Sequence, residues 1–338
     1  MTCATPSTRG RSPGRWAGGP ASVWRRAWSG RSAGIGNTKP GGVRSRRPSA
    51  VRVAVTGARG MLGQDLVAAL RAAGHEVMAW DIERCDITRP EQVRAALEGS
   101  RPALLFHCAA YTDVDGAEAD PAGAMRVNAG GTAQVAAACR AVGAGMVYLS
   151  TDYVFDGRSR TPYREGDAPN PLNAYGRSKC AGEEAVRAAG LRRAWIVRSA
   201  WLYGAGGRNF VRAIVERAAQ GGPLRVVDDQ EGSPTYTADL AAALCRIPEG
   251  VPPGTYHVTN AGSTTWFAFA RAILERAGMP GIPLEPIPTA ASGRPAPRPA
   301  YSVLANDRWA TATGTPLRPW PEALEAFLST LALPARPR

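Results

Sequence analysis

The stretch VRVAVTGARGMLGQDLVAALRAAG (51–74) decides how this chain folds. Its first five residues are a β-branched apolar run, read as a buried strand. A glycine loop follows, then apolar residues at helical spacing. Gly57, Gly60 and Gly63 form a TGxxGxxG pattern between strand and helix. The first glycine permits a tight turn, the second a close approach of backbone to a pyrophosphate, and the third close packing of helix on strand. The helix N-terminus offers free amides to that anion. Asp81 ends the next strand, HEVMAW (75–80), where an acidic residue meets an adenosine ribose.

Outward from this unit, strands and helices alternate. PEQVRAALEG (90–99) reads as a helix and ALLFHCAA (103–110) as an apolar strand. One long Ala-rich helix is expected over 121–141, then the strand GMVYLS (145–150). A polar loop leads to the helix YGRSKCAGEEAVRAAG (175–190) and the strand RAWIVRS (193–199). Such alternation predicts an α/β fold, a doubly wound parallel sheet of Rossmann type covered on both faces. Beyond 200 the elements shorten and mix, which predicts a smaller mixed α/β part. The expected division is a basic tail over 1–50 and a dinucleotide-binding domain over 51–200 that also receives part of 223–260. Segments 201–222 and 261–333 then bind substrate.

NAYGRSKCAGE (173–183) carries the chemistry. Tyr175 and Lys179 stand four apart and share one helix face. Reducing a ketone by hydride requires a proton for the developing alkoxide. A phenol is a weak acid, and a nearby ammonium moves its pKa towards the working pH. Upstream, STDYVFDG (150–157) places Ser150 and Thr151 at a strand's carboxyl end, where ligands bind in such sheets. YxxxK alone is common. Joined in this order to the glycine loop and a strand-end hydroxyl, it specifies a nicotinamide-dependent oxidoreductase. Asp81 favours NADH, whereas Arg59 and Arg84 are placed to hold the 2′-phosphate of NADPH, so both cofactors stay open. Asp86 reads either as an adenine contact or as a turn carboxylate.

The net charge of +13 over 338 residues suggests a nucleic-acid partner, but its distribution argues against one. Ten Lys and Arg and no acidic residue fall in residues 1–50, so the rest carries only about +3. That Gly-, Pro-, Ser- and Arg-rich segment is read as disordered. Arg25-Arg26 lacks the apolar run of a twin-arginine signal, and GRSAG (30–34) lacks the strand and helix of a nucleophile elbow. Six cysteines without metal-ligand spacing point to a reducing cytoplasm. No apolar run has the length of a membrane span.

At these residues the chain resembles the extended short-chain dehydrogenase/reductases, and within them the dTDP-4-dehydrorhamnose reductase family. The likeness runs through AAYTDVDGAE (109–118), NAGGTAQVAAAC (128–139), RSAWLYG and NFV (198–211), DDQEGSPTYTADLA (228–241), YHVTNAGSTTWFAFA (256–270) and RPAYSVL (298–304). It implies reduction of the 4-keto group of dTDP-4-dehydro-L-rhamnose by NADPH or NADH. Tyr175 would be proton donor, Lys179 its partner and ribose anchor, and Thr151 the tuning hydroxyl. Gly57, Gly60, Met61, Leu62, Gly63, Asp81, Asp86, Ile87, Ala110, Tyr111 and Thr112 would line the cofactor. Thr151, Asp152, Tyr175 and Trp201 would contact the dTDP-sugar, with Asn209 and Arg298 as weaker candidates. Core packing for Trp201, a turn for Asn209 and a solvated charge for Arg298 are the competing readings. His107 stands where the family has Asn and reads as a satisfied strand-end histidine. Some members hold a divalent metal at a dimer contact. Glu322 and Glu325 do not match that site, so no metal is expected and a homodimer is left open.

Two rival functions share the fold. A dehydratase needs Glu after the Asp of the STD segment, and Tyr153 stands there instead. Epimerases, which reuse a bound NAD, are excluded less firmly. A non-catalytic relative, such as the regulatory subunit of methionine adenosyltransferase, would not need the intact Tyr175, Lys179 and Thr151.

Overall fold

A computed structural model describes residues 50–332. The readings made for the basic N-terminal segment lie outside the described residues.

The chain opens with β1 (Arg52–Thr56), α1 (Met61–Ala72), β2 (Glu76–Trp80), α2 (Pro90–Ser100) and β3 (Leu104–His107). There follow α3 (Val114–Ala119), α4 (Pro121–Met125), a π-helical turn (Arg126–Gly131), α5 (Thr132–Val142), β4 (Gly145–Thr151), α6 (Ala174–Ala188) and β5 (Ala194–Ser199). The second half contains β6 (Leu202–Tyr203), α7 (Phe210–Gln220), β7 (Leu224–Val227), β8 (Glu231–Gly232), β9 (Thr235–Tyr236), α8 (Thr237–Leu244) and β10 (Gly254–His257). It ends with β11 (Thr264–Thr265), α9 (Trp266–Arg276), β12 (Leu284–Ile287), α10 (Asp307–Thr313) and α11 (Trp320–Leu328).

Six strands form one sheet in the order β2-β1-β3-β4-β5-β10, every pair parallel. Winding reverses between β1 and β3, and that crevice is where such sheets bind ligands. Strand residues alternate between two cores, as period-2 geometry requires. Val53, Val55, Phe106, Val147 and Val197 face α1 and α8, whereas Ala54, Leu105, Met146, Tyr148 and Ile196 face α2, α5 and α6. At roughly 1.5–3 kcal/mol for each large apolar side chain, burial on both faces fixes the register. A third core, built from α7, α9, α11 and the short strands near them, includes Val211, Ile214, Phe269, Ile273, Leu324 and Phe327.

The helix expected over 121–141 is interrupted: its middle opens into the π-helical turn at Arg126–Gly131. Gly130 and Gly131 weaken the regular helix here, and only glycine fits at 131, where a Cβ would lie 2.9 Å from the Ile87 side chain. The Asn128 amide is buried, donating to Tyr111 O at 3.0 Å and Ser178 Oγ at 2.9 Å and accepting Tyr111 N–H at 2.8 Å. π-turns of this kind recur at functional sites.

Candidate active site

The glycine loop closes the carboxyl end of β1. Gly57 has φ +65°, a left-handed conformation that disfavours a side chain, and a Cβ there would meet Ala109 N at 2.6 Å. A Cβ at Gly63 would sit 2.1 Å from Gly57 O, so only glycine lets α1 pack on the loop. Gly60 caps α1 without a side-chain hydrogen bond, and the first turn holds no acidic residue. Its amides therefore point to an anion without competition. Asp81 Oδ2 accepts Arg59 N–H at 2.8 Å and Oδ1 accepts Ile82 N–H at 2.8 Å, which ties the loop to β2. The Arg59 guanidinium pairs with Glu83. Asp86 Oδ1 accepts the Thr88 N–H and hydroxyl at 2.9 and 2.7 Å. It is a turn carboxylate that also borders the cavity. These residues form a cradle of the shape and donor set that a nicotinamide dinucleotide requires.

The reacting groups come from β4 and α6. Asn173 caps α6, accepting Gly176 N–H at 2.7 Å and donating to Pro297 O at 2.9 Å. The cap fixes the helix phase, and Tyr175 and Lys179 then face the end of β4 one turn apart. Lys179 is buried, with Nζ donating to Leu149 O at 2.6 Å and lying 4.1 Å from the Tyr148 ring centroid. Burial lowers its pKa to about 7, partly offset by the Glu183 charge. The four-residue spacing predicts that this ammonium depresses the phenol. Here the ammonium is engaged by a backbone carbonyl, and burial with the Asp152 charge raises Tyr175 to about 12. The nearby Thr151 hydroxyl partly counters this.

Beneath these groups lies an ionic network. Glu183 is fully buried and accepts Arg198 Nε and Nη2 at 2.7 Å each, Ser150 Oγ at 2.6 Å and Arg187 Nη2 at 2.7 Å. Arg198 is itself 1% exposed. The pair joins α6 to β4 and β5 directly behind Thr151.

One cavity of about 980 Å³ brings together Gly57, Gly60, Met61, Leu62, Gly63, Asp81, Asp86, Ile87, Ala110, Thr112, Thr151, Asp152, Tyr175, Lys179 and Trp201. Three expected residues are elsewhere. Tyr111 is held by Asn128 through its backbone and packs with its ring against Ala117, Ala124 and Ala174. Asn209 is the N-cap of α7, and its amide donates to Gly204 O at 2.8 Å and Gly207 O at 3.1 Å. Arg298 is no solvated charge: its guanidinium grips Asp115 at 3.0 and 2.9 Å. A helix end and a carboxylate claimed these two side chains first, which spacing in the sequence cannot reveal. His107 bonds Thr56 Oγ1 at 2.7 Å and Thr132 Oγ1 at 3.2 Å, a satisfied core histidine that burial keeps neutral, at about 3.

Sequence reasoning missed Arg126, Arg208 and Trp266, all of which border the cavity. Trp266 stacks on Trp201 with centroids 3.6 Å apart and planes 8° apart. Trp201 has φ +47°, a left-handed conformation rare for a bulky residue. Its ring covers Gly232, where a Cβ would approach within 2.5 Å. Core packing and cavity lining are thus combined in one side chain. Arg126 carried no motif, and it stands at the start of the π-helical turn.

Comparison with known proteins agrees with this geometry. A probable dTDP-4,6-dihydroxy-2-methyloxan-3-one 4-ketoreductase of Streptomyces antibioticus is 47% identical, over 83% of this chain and 96% of its own length. A dTDP-4-dehydrorhamnose reductase of Streptomyces griseus is 46% identical over 84% and 95%. The crystal structure of a dTDP-4-dehydrorhamnose reductase from Bacillus anthracis, solved in complex with NADP, superposes with a TM-score of 0.81 at 39% identity, covering 83% of this chain and all of that one. Residues 51–333 match the family described as the RmlD substrate binding domain, and the chain belongs to that family.

Proposed function

We propose that this protein is an NAD(P)H-dependent reductase that converts the 4-keto group of dTDP-4-dehydro-L-rhamnose to the alcohol of dTDP-L-rhamnose. The observation that carries this reading is the convergence of Tyr175, Lys179 and Thr151 on the cavity that the glycine cradle opens into. The relatives named above act on dTDP-linked keto sugars.

Bound at the cradle, the cofactor supplies the hydride. The first-turn amides of α1 would hold its pyrophosphate, Asp81 would fix the loop around its ribose, and Lys179 would anchor the nicotinamide ribose. Tyr175 donates its phenolic proton to the sugar oxygen. A phenol raised to about 12 is fully protonated at neutral pH, the state a reduction needs. Thr151 orients the carbonyl. Segments 201–222 and 261–332 would hold the sugar nucleotide, with the Trp201 and Trp266 indoles as an apolar wall. Tyr153, in place of a dehydratase base, favours reduction over elimination. No helix among the described residues is long and apolar enough to cross a membrane, and the five described cysteines are unpaired. Both fit a cytoplasmic enzyme. Purified protein mixed with dTDP-4-dehydro-L-rhamnose should oxidise NADPH or NADH, followed at 340 nm. Absence of turnover with either nicotinamide would sink the reading.

A further inference from the structure

Trp201 stands between β5 and β6, where the chain leaves the six-stranded sheet, and borders the cavity together with Ser199 and Thr151. Its left-handed backbone is a conformation that a bulky residue keeps only where its surroundings enforce it. Both faces of its indole are occupied. One stacks on Trp266, with centroids 3.6 Å apart. Gly232 lies against the other. A Cβ at 232 would meet Trp201 Cε2, Nε1 and Cζ2 at 2.5, 2.6 and 2.7 Å, with no Trp266 atom nearer. Near-equal distances to three bonded ring atoms place that Cβ above the ring plane, on the side that Trp266 leaves free.

Neither neighbour is free to retreat. The Trp266 ring is backed by Phe210, with centroids 4.6 Å apart. Gly232 belongs to β8, which pairs antiparallel with β11 through Thr264 and Thr265, directly before Trp266. The preceding residue, Glu231, is tied to a second segment: its N–H donates to Ala300 O and its carbonyl accepts Ser302 N–H, each at 2.8 Å. The backbone of Gly232 does not itself call for glycine, because its φ lies outside the left-handed region and alanine can adopt it. Nor does Gly232 border the cavity. Only the indole requires that this position carry no side chain.

We propose that Gly232 is a positioning residue. With Trp266 it forms a slot that clamps the Trp201 indole, and the clamped ring fixes the cavity wall against which the keto sugar is held. A side chain at 232 fits only if the ring leaves the slot, since Trp266 and Phe210 give it no room on the far face. The wall beside Thr151 and Ser199 then moves. The glycine cradle, built on β1, α1 and β2, does not depend on the slot. Loss of the wall weakens ground state and transition state alike, so it raises KM for the sugar and leaves kcat nearly constant.

This inference rests on the reductase reading for the sugar it names, and one set of measurements separates the two. Gly232→Ala is compared with wild type. The stacked indoles give wild type an exciton couplet in far-ultraviolet circular dichroism, which the variant should lose. Its KM for dTDP-4-dehydro-L-rhamnose should rise at least about tenfold, with kcat within about threefold and the Kd for NADPH within about twofold of wild type. In a Trp201→Ala background no ring opposes the new Cβ, so the same substitution should cost less than about twofold in KM and leave Tm unchanged. A couplet that persists, an unchanged KM, a parallel loss of NADPH affinity, or an equal cost in the Trp201→Ala background would each overturn the slot. Should Gly232→Ala alone fail to fold, the double variant decides: a Tm equal to that of Trp201→Ala supports the slot, and a lower one overturns it. No NADPH oxidation by wild type would instead refute the reductase reading, and the couplet and the Tm comparison, which use no substrate, still decide the slot.

Discussion

Replacing Glu183 with Gln tests the ionic network behind the site. Glu183 accepts four short hydrogen bonds, two of them from Arg198, in a position without solvent. The substitution keeps shape but removes the charge, leaving Arg198 buried and unpaired. Breaking such a pair from one side costs about 3–5 kcal/mol. Unfolding entropy near the midpoint is roughly 2.1 cal/mol/K per residue, or about 0.6 kcal/mol/K for some 280 residues. The apparent Tm should therefore fall by about 5–8 °C in calorimetry at fixed scan rate and pH 7.5. Burial alone would raise the Glu183 carboxyl, but Arg198, Ser150 and Arg187 hold it below the ordinary carboxylate range. A carboxyl lowered by folding contributes stability that is fully present above its unfolded pKa, roughly 4.3, and is lost as pH falls through the folded value. The difference between wild type and variant should thus narrow in acid below about pH 4. Adding Arg198→Met should recover most of the loss, because the unpaired charge goes with it. A Tm within 2 °C of wild type, or a double variant no better than the single one, would refute this account of the network.

Three further outcomes are expected. Tyr175→Phe removes only the proton donor, so kcat should drop about 10²–10⁴-fold while the Kd for NADPH, read by fluorescence titration, is unchanged. Gly63→Ala places a Cβ 2.1 Å from Gly57 O, and titration should show cofactor affinity falling by at least about tenfold as the loop is forced off α1. Because burial holds Lys179 at about 7, cofactor affinity should weaken as pH rises through 7 and the ammonium is lost, and Lys179→Met should abolish that dependence. A retained pH response in that variant would assign it to another group.

The parallel sheet and its ligand crevice were legible in the sequence, because they follow from local rules. Continuous apolar strands, a TGxxGxxG loop and a four-residue Tyr–Lys spacing each constrain backbone geometry within a few residues. That is why Gly57, Gly63, Tyr175 and Lys179 lie where the sequence puts them. What tertiary structure decided is how polar side chains are spent. Asn209 and Arg298 carried the same chemical promise as true cavity residues, but a helix end and Asp115 engage them. Arg126 borders the cavity from the π-turn, which Asn128 ties to Tyr111 and Ser178 through hydrogen bonds across the chain. The protonation states belong to the same class. Whether Lys179 lowers Tyr175 depends on where its ammonium points and on the desolvation around both groups. Those are properties of distances across the chain, and sequence spacing does not encode them.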